Sequence, residues 1–466
     1  MTSGRLFLLF VASLALVPAC GEPLQSGSVA GQREPSLLIL VLDACRADKL
    51  GCYGYERPTS PVIDSIAADP DASLFRHYYV QSSWTKPSTA SLFTGLFVYQ
   101  HGLLLGHEKR DDASGAAVFA TQVLSDEFDT MAEFFSDAGF HTFSVVGHRH
   151  LAEDYGFDQG FSEYVLRRHF SDEDRVDTLL SMVEGTRGRF FAYVHLQGCH
   201  NPFRPNERDP EFMEQFGFDY DEEGRRASKV DFNGTEIKFA IREGEVALDR
   251  DDVRFLSLIY DAKLRKVDRD YVGRVVEGLK ELGRWHSTML IVTADHGEAL
   301  YEHQDYAHKD HLAETVIHVP LIVKFPRGRK PAALGAEVDT LTRSIDLLPS
   351  LLAYFGQPVP EELPGVQIFD AEEADFSLAE KKGAWALHRD GFKLIRSSAE
   401  ARLFDLAADP GEQLNLAGAM PERVSRMERF VAGLFARRGD FPVSPNVDTP
   451  LDEETLEDLR SLGYVQ

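Results

Sequence analysis

The stretch MLIVTADHGE, residues 289–298, is an apolar run that ends abruptly in Asp295 and His296. It is short and has no polar residue at alternate positions, which is typical of a strand covered on both faces, as in a parallel sheet. Three further apolar runs end in the same way: Leu37–Leu42 before Asp43, Phe143–Val146 before Gly147-His148-Arg149-His150, and Phe190–Val194 before His195 and His200.

Helix-like stretches lie between these apolar runs, among them Thr130–Ala138 and Leu256–Gly283. Alternation of β and α segments favours a doubly wound α/β fold, with a mainly parallel sheet and helices on both faces. The carboxyl ends of parallel strands share one edge of such a sheet, and binding sites form there. The sequence therefore predicts that Asp and His side chains from separate strands meet at this edge.

The first twenty residues have the pattern of an export signal. Arg5 is followed by an apolar run, Leu6–Val17, that is shorter than an ordinary transmembrane span, and then by Cys20. The pattern resembles a bacterial lipoprotein signal over residues 1–20, which implies a lipid on Cys20 and attachment to the cell envelope, in the periplasm or at the outer membrane. An ordinary signal peptide cut nearby is the alternative. Residues 21–35, rich in Gly, Ser and Gln, are predicted to be a flexible tether.

The rest of the chain is predicted to hold a large domain and a small one. We assign residues 36–365 to the large, catalytic domain and interpret the charged, weakly periodic segment 206–252 as an insertion near the site. Beyond it, short strand-like runs flank the turn Asp390-Gly391, a dipeptide that favours a hairpin. We therefore predict a small α+β subdomain over residues 366–466.

The chain is strongly acidic, with 75 Asp and Glu against 49 Lys and Arg and a formal net charge of −26. This balance argues against a nucleic-acid partner, because phosphate backbones are bound by clustered Lys and Arg. It does not exclude a small anionic substrate, since a bound metal ion reverses the sign of the charge inside a cleft.

One segment places a hydroxyl where an anion would bind. Pro87 and Gly95 are the residues expected near the start and just after the end of a helix, so Thr85 falls at or near its N-cap. There the Thr85 hydroxyl faces free backbone N–H groups and the positive end of the helix dipole. The alternative is that Thr85 only caps the helix.

Asp43, Asp295 and His296 favour a catalytic interpretation of Thr85. A hydroxyl becomes a good nucleophile only when a base or a metal ion promotes loss of its proton. Two carboxylates, one imidazole and the threonine oxygen make a four-ligand set for a divalent cation. The mixed oxygen and nitrogen donors suit Zn²⁺ or Mn²⁺ better than Ca²⁺.

Nine stretches of the chain, in this order, carry a family resemblance: Asp43–Gly54, Thr85–Gly95, Gly147–Leu151, His200–Phe203, Thr293–Glu298, His308-Lys309 followed by Val319–Leu321, Ser344–Pro349, Leu403–Glu412 and Leu459–Tyr464. Together they resemble the sulfatase family of the alkaline-phosphatase-like superfamily over residues 36–466. The resemblance implies that family's doubly wound fold and a metal-dependent hydrolysis of phosphoric or sulfuric esters.

The departures from the family pattern concern the chemistry. Sulfatases carry Cys or Ser at the position of Thr85 and oxidise it to formylglycine, an aldehyde that threonine cannot form. Thr89 stands where the family has arginine, and Ala44 and His296 stand where it has a metal-binding aspartate and asparagine. These departures favour the threonine-using relatives, which act on phosphate esters.

The resemblance also implies a pocket lined by His150, His200, His308 and Lys309, which would bind the anion or protonate the leaving group. Which residue does which stays open, as does a second cation, for which His308 is a candidate ligand. The predicted reaction is attack of Thr85 on phosphorus, followed by hydrolysis of the phosphothreonine by water.

The predicted function is therefore a metal-dependent hydrolysis of phosphate mono- or diesters, with a small-molecule, glycan or lipid ester as substrate. Two alternatives stay open at this point. One is hydrolysis of sulfate esters through an unmodified threonine, and the other is transfer of a phosphorylated head group onto a glycan or lipid at the cell envelope.

Overall fold

The sheet edge predicted from the sequence belongs to an eight-stranded sheet in a computed structural model of the protein. The structure describes residues 33–106, 108–111, 117–167, 170–216, 230–234, 236–308 and 311–449. The strands of this central sheet are β1 (Ser36–Leu42), β2 (Ala72–Tyr79), β3 (His141–Val146), β4 (Glu163–Leu166), β5 (Phe190–Leu196), β6 (Thr288–Thr293), β7 (Leu321–Lys324) and β8 (Glu337–Arg343).

The strands follow the order β8-β2-β7-β6-β1-β5-β3-β4. All neighbours are parallel except β7, which runs antiparallel to β2 and β6. Every residue of β1, β5 and β6 is buried. Successive side chains of a strand point to opposite faces, so the sheet is covered on both sides. The doubly wound, mainly parallel α/β fold is confirmed.

Helices connect and cover these strands. The longer of them are Pro61–Ala67, Thr85–Thr94, Met131–Asp137, Asp172–Gly185, Pro210–Phe216, Glu236–Arg242, Arg250–Lys266, Gly273–Glu281, Leu347–Tyr354 and Pro421–Phe435, with single turns at Val98–His101 and Glu314–Ile317. A π-helical stretch, Val267–Val272, joins Arg250–Lys266 to Gly273–Glu281.

The predicted helix Leu256–Gly283 begins earlier in the structure, at Arg250. The side chain of Asp249 accepts the backbone N–H groups of Asp251 and Asp252, each at 2.9 Å, and so caps this helix. The helix start therefore lies inside the segment 206–252 that was predicted to be an insertion near the site.

A second, four-stranded antiparallel sheet lies near the carboxyl terminus. Its strands are β9 (Ser377–Lys381), β10 (Ala384–Arg389), β11 (Phe392–Ser397) and β12 (Ala401–Asp405). Asp390 and Gly391, with φ of 53° and 75°, form the predicted hairpin turn between β10 and β11. The helix Pro421–Phe435 packs its Val424, Met427 and Val431 into the same apolar cluster as this sheet. This α+β part is confirmed, while the limits 36–365 and 366–466 stay predictions.

Two small sheets complete the described structure. Asn446–Thr449 pairs with Ala117–Gln122, which also pairs with Glu108–Asp111, and Ala299–Leu300 pairs with Tyr306–Ala307. Within the described residues, no helix is both long enough and apolar enough to cross a membrane. The predicted signal and most of the tether, residues 1–32, and the stretch Leu459–Tyr464 lie outside the described residues.

Candidate active site

Four side chains from distant parts of the chain meet at the carboxyl ends of the central strands. Asp43 directly follows β1, Thr85 opens the helix after β2, and Asp295 and His296 follow β6. His296 Nε2 lies 3.3 Å from Asp43 Oδ1, 3.4 Å from Thr85 Oγ1 and 3.5 Å from Asp295 Oδ2. All four side chains are buried. The structure thus brings together the four metal ligands predicted from the sequence, and their roles stay predictions.

Thr85 is the first residue of its helix, and Trp84 occupies the N-cap. Its hydroxyl therefore lies at the helix N-terminus, where unpaired backbone N–H groups and the dipole favour an anion. The helix ends at Gly95, whose left-handed φ of 67° closes the last turn. Both ends of this helix are where the sequence placed them, to within one residue.

Backbone geometry fixes the position of the two carboxylates. Ala44 has a φ of 58°, a left-handed conformation that is costly for a residue with a Cβ and that turns the chain directly after Asp43. Ala44 N–H and His296 N–H donate to Asp295 Oδ1 at 3.4 and 3.0 Å. One oxygen of Asp295 is thus held by the backbone, and Oδ2 faces Asp43 and His296.

The Asp43 carboxylate has the environment of a metal ligand. Both of its oxygens are buried and accept no hydrogen bond from any residue that the structure describes. A buried charge without hydrogen bonds is costly unless an ion compensates it. Burial raises the pKa of Asp43 well above its usual value, and the charge of Asp295 raises it further. Burial also raises the pKa of Asp295, but His296 and His195 outweigh it, so that this pKa lies below its usual value.

His195 belongs to this cluster, although it is not among the metal ligands predicted from the sequence. It lies in β5 beside Val41 of β1, with Nε2 at 3.5 Å from Asp43 Oδ2 and 3.8 Å from Asp295 Oδ2. Ligand atoms of Asp43, His195 and Asp295 all lie within 4.8 Å of one another. Its Nδ1 lies 2.9 Å from Tyr193 Oη. The signal in the sequence was a single basic residue inside an otherwise apolar buried strand.

A second group with metal-ligand spacing shares Asp43. Ligand atoms of Asp43, His148 and His200 also lie within 4.8 Å of one another. All three residues are buried. Burial lowers the pKa of His148 to about 3, and burial together with His308 lowers the pKa of His200 well below its usual value. Both imidazoles are therefore neutral at neutral pH.

The predicted pocket histidines all lie at the cluster. The His308 ring stacks on His296 at 4.1 Å between centroids and lies 4.8 Å from His200. The His150 ring stacks on His148 at 5.1 Å and meets the edge of Trp84 at 5.4 Å. Lys309 lies outside the described residues, so its role in the pocket stays a prediction.

Three of these imidazoles are held by an oxygen at Nδ1. His296 Nδ1 lies 2.8 Å from Gly297 O, His308 Nδ1 lies 3.0 Å from Glu298 Oε1, and His200 Nδ1 contacts Asn201 O. Carbonyl and carboxylate oxygens only accept hydrogen bonds, so Nδ1 carries the proton and Nε2 carries a lone pair. This is the tautomer that a metal ligand or a proton acceptor needs.

Hydrogen bonds and partly buried ion pairs connect the loops that carry the site. Arg46 donates to Glu298 O at 3.0 Å and pairs with Glu302 at 2.7 Å. Lys263 Nζ donates to His200 O at 2.6 Å and pairs with Glu207 at 2.8 Å. Glu207 belongs to the segment 206–252, so this segment contacts a residue that supports the site.

A cleft of about 930 Å³ lies beside this network. Arg46 and Glu302 line one part of it, and His388 and Phe392 of the carboxyl-terminal sheet line another. The residues that hold the site loops therefore also form a wall of a cavity large enough for an organic group.

The doubly wound sheet, the buried carboxylate and imidazole cluster at its carboxyl edge and the hydroxyl at a helix N-terminus are typical of a metal-dependent hydrolase of ester bonds. The sulfatase family model matches residues 35–357, and the chain belongs to the sulfatase family. It is a sulfatase-like metallohydrolase that acts on phosphoric or sulfuric ester bonds.

Relatives and solved structures resemble the chain over most of its length. The sulfatase YidJ of Escherichia coli strain K12 is 26% identical and covers 82% of this chain and 83% of its own. The N-acetylglucosamine-6-O-sulfatase of Bacteroides thetaiotaomicron is 22% identical over 88% of this chain and 87% of its own. The crystal structure of a phosphonate monoester hydrolase of Agrobacterium radiobacter shares the fold, with a TM-score of 0.64, 18% identity and coverage of 89% and 96%.

Proposed function

We propose that the protein hydrolyses phosphate mono- or diesters with Thr85 as the nucleophile. The observation that carries the proposal is the convergence on His296 Nε2, which has the Thr85 hydroxyl and both aspartates within 3.5 Å. A threonine that served only as a helix cap would accept a backbone N–H of its own helix, whereas the N-cap here is Trp84.

The residues present fit a divalent cation. Asp43, His195, Asp295 and His296 would hold it, with Thr85 beside them. Two imidazole nitrogens in the donor set favour Zn²⁺ or Mn²⁺ over Ca²⁺, which prefers oxygen ligands. When bound, the cation stabilises negative charge on the ester oxygens and promotes loss of the hydroxyl proton.

The chain's own residues perform the rest of the reaction. Thr85 Oγ1 forms a bond to phosphorus while the bond to the leaving alcohol breaks, and water later hydrolyses the phosphothreonine. The N-terminus of the helix Thr85–Thr94 directs backbone N–H groups at the non-bridging oxygens. His200 and His308 are the candidates for passing a proton to the leaving oxygen, because Nδ1 of each ring donates to an oxygen and Nε2 carries a lone pair. Nε2 would take up the proton that the Thr85 hydroxyl loses and then give it to the leaving oxygen.

Hydrolysis of sulfate esters is the second candidate function. The family match and the curated relatives, among them an N-acetylglucosamine-6-O-sulfatase, favour it. The threonine nucleophile favours phosphate instead, because threonine cannot supply the aldehyde that sulfatases use. The fold shared with a phosphonate monoester hydrolase supports the proposal that this scaffold can act on an ester of phosphorus.

A substrate panel tests the proposal. Nitrophenyl phosphate, bis-nitrophenyl phosphate and nitrophenyl sulfate are supplied to the Zn²⁺- or Mn²⁺-loaded protein. We expect phosphate turnover to exceed sulfate turnover and Thr85→Ala to lose it by at least about a thousandfold. Thr94→Ala removes a buried hydroxyl at the other end of the same helix and serves as the matched control. Sulfate turnover above both phosphate activities would make sulfate-ester hydrolysis the favoured function. Full activity of Thr85→Ala would rule out Thr85 as the nucleophile.

We also propose, from the sequence of residues 1–20, that the protein is exported and anchored to the cell envelope by a lipid on Cys20. Mass spectrometry of the mature amino terminus tests this. A diacylglyceryl-modified Cys20 supports the proposal, and an unmodified terminus elsewhere contradicts it.

A further inference from the structure

Two cysteine side chains meet where the loops after β1 and β5 pack together. The two strands are parallel neighbours, with Leu42 opposite Leu196 at their carboxyl ends. Cys45 and Cys199 each follow three positions later in the chain. Both residues are buried, and the Cys45 thiol lies within hydrogen-bonding distance of the Cys199 thiol. Two sulfur atoms from distant parts of the sequence are therefore in contact as free thiols.

The backbone holds these two side chains together. Asp43 N–H donates to Leu196 O at 3.1 Å, and Cys199 N–H donates to Asp43 O at 2.9 Å. Gly198 lies against the same peptide groups, since a Cβ on it would be 2.9 Å from Asp43 N and 3.0 Å from Asp43 O. Only a residue without a side chain permits this approach. Main-chain contacts thus fix the position of Cys199 against the loop that carries Cys45.

The loop that carries Cys45 is held by Tyr260. The buried Tyr260 hydroxyl donates to Ala44 O at 2.9 Å and accepts the N–H of Arg46 at 3.0 Å. It therefore binds the peptide groups on both sides of Cys45. Cysteines whose side chains point apart can be bridged only if the backbone moves. Here the backbone is held on both loops while the thiols already face each other, so the geometry suits a bond between them.

Cys52, the third cysteine that the structure describes, has a different environment. It is only partly buried, and its thiol hydrogen-bonds with the Asp64 carboxylate. Its backbone N–H donates to the same carboxylate at 2.7 Å. Cys52 is therefore tied to Asp64, on the helix Pro61–Ala67, and it provides a matched control for experiments on the other two cysteines.

We propose that Cys45 and Cys199 form a disulfide bond when the protein folds outside the cytoplasm. The two S–H bonds break and one S–S bond forms, and the two protons and two electrons pass to a disulfide oxidant, which is reduced to two thiols. Oxidants of this class act in the compartments to which the signal-like residues 1–20 would direct the chain. Both sulfurs are buried, so the bond forms during folding, before packing excludes the oxidant.

The bond would join two loops that carry residues of the candidate active site. Asp43 lies two residues before Cys45, and His200 directly follows Cys199. A cross-link between distant positions stabilises a protein chiefly by restricting its unfolded chain, and more so when the closed loop is long. For a loop on the order of 150 residues in a chain of this size, we expect the thermal midpoint of unfolding to rise by about 5 °C.

A peptide map tests the bond directly. The full chain is produced in an oxidising bacterial periplasm, its free thiols are alkylated at lysis, and it is digested with trypsin without a reductant. The tryptic peptides 34–46, 50–76 and 190–208 carry Cys45, Cys52 and Cys199 separately, so mass spectrometry identifies any link. We expect peptide 34–46 to be joined to 190–208 and peptide 50–76 to be alkylated. Alkylated Cys45 and Cys199, or a link that includes Cys52, would overturn the proposal.

Thermal unfolding with and without a strong reductant is the second measurement, because the reductant reaches the bond as the chain opens. The reductant should lower the midpoint by about 5 °C in the wild type and in Cys52→Ala, and leave Cys45→Ala and Cys199→Ala unchanged. An equal drop in Cys199→Ala, or no drop in the wild type, would contradict the bond. If one variant fails to fold, the other variant and the wild-type peptide map decide. Neither measurement depends on turnover, so failure of the Thr85 mechanism would appear separately.

Discussion

Replacing Glu298 by glutamine should disturb the site without changing its shape. Glu298 is fully buried, and its Oε1 lies 3.0 Å from His308 Nδ1. Its Oε2 accepts two hydrogen bonds from Asn201, from the backbone N–H at 3.2 Å and from Nδ2 at 2.9 Å. Both oxygens therefore face donors, and Glu298→Gln replaces one of them with an NH₂ group, which is itself a donor.

Neither orientation of the new amide satisfies all of these donors. If the NH₂ group faces His308, the ring relieves the conflict only by moving its proton from Nδ1 to Nε2, which removes the lone pair from the site. If it faces Asn201, two N–H groups lose their acceptor. A hydrogen bond to a charged group is worth roughly 1.5–3 kcal/mol, or about a 10- to 150-fold change in rate. Replacing a residue that orients a metal ligand typically lowers metal affinity or activity about 10- to 100-fold. We therefore expect kcat/KM to fall about 30-fold.

The assay is kcat/KM for the best ester of the panel, measured with the thermal midpoint of unfolding. Glu302→Gln is the matched control, because Glu302 also carries a carboxylate near the site but pairs with Arg46 at a position where a third of its side chain is exposed. Arg46 keeps a second carboxylate partner in this variant, Asp48 at 2.7 Å, and a partly exposed ion pair contributes less than a buried one. Glu302→Gln should therefore lose less activity than Glu298→Gln. A loss in Glu298→Gln no larger than in Glu302→Gln would refute the reasoning that the buried carboxylate sets the tautomer of His308.

Two further perturbations follow from buried groups. His195→Ala should weaken cation binding at least about tenfold, because it removes a nitrogen that faces both aspartates. Competition with a chelator measures the affinity. If the variant loses its cation at the same chelator concentration as the wild type, His195 is not a ligand. Burial lowers the pKa of Lys86 from 10.5 to about 7. Between these two values the unfolded chain binds more protons than the folded one, so the stability of the wild type should rise with pH relative to Lys86→Met. Denaturant unfolding at a series of pH values checks this, and a difference that does not change with pH would contradict it.

The sequence determined the framework of the protein because its signals are local. Apolar runs without polar alternation indicate buried strands wherever they occur, and polar residues directly after them mark one sheet edge. Asp43, Asp295 and His296 could be selected on that basis. Thr85 could be placed at the start of a helix because Pro87 and Gly95 mark the two ends of that helix. The Asp390-Gly391 hairpin is equally local, because the turn itself requires two residues with positive φ.

Only the tertiary structure decided which atoms of the cluster face one another. His195 lies inside a strand, and nothing in that strand shows that β1 places Asp43 beside its Nε2. Glu298 controls His308 because two loops fold against each other, and His148 differs from His200 because one ring accepts an amide N–H while the other contacts a carbonyl oxygen. A histidine's tautomer depends on the partner of each ring nitrogen, and these partners are assembled only when segments far apart in the chain pack together.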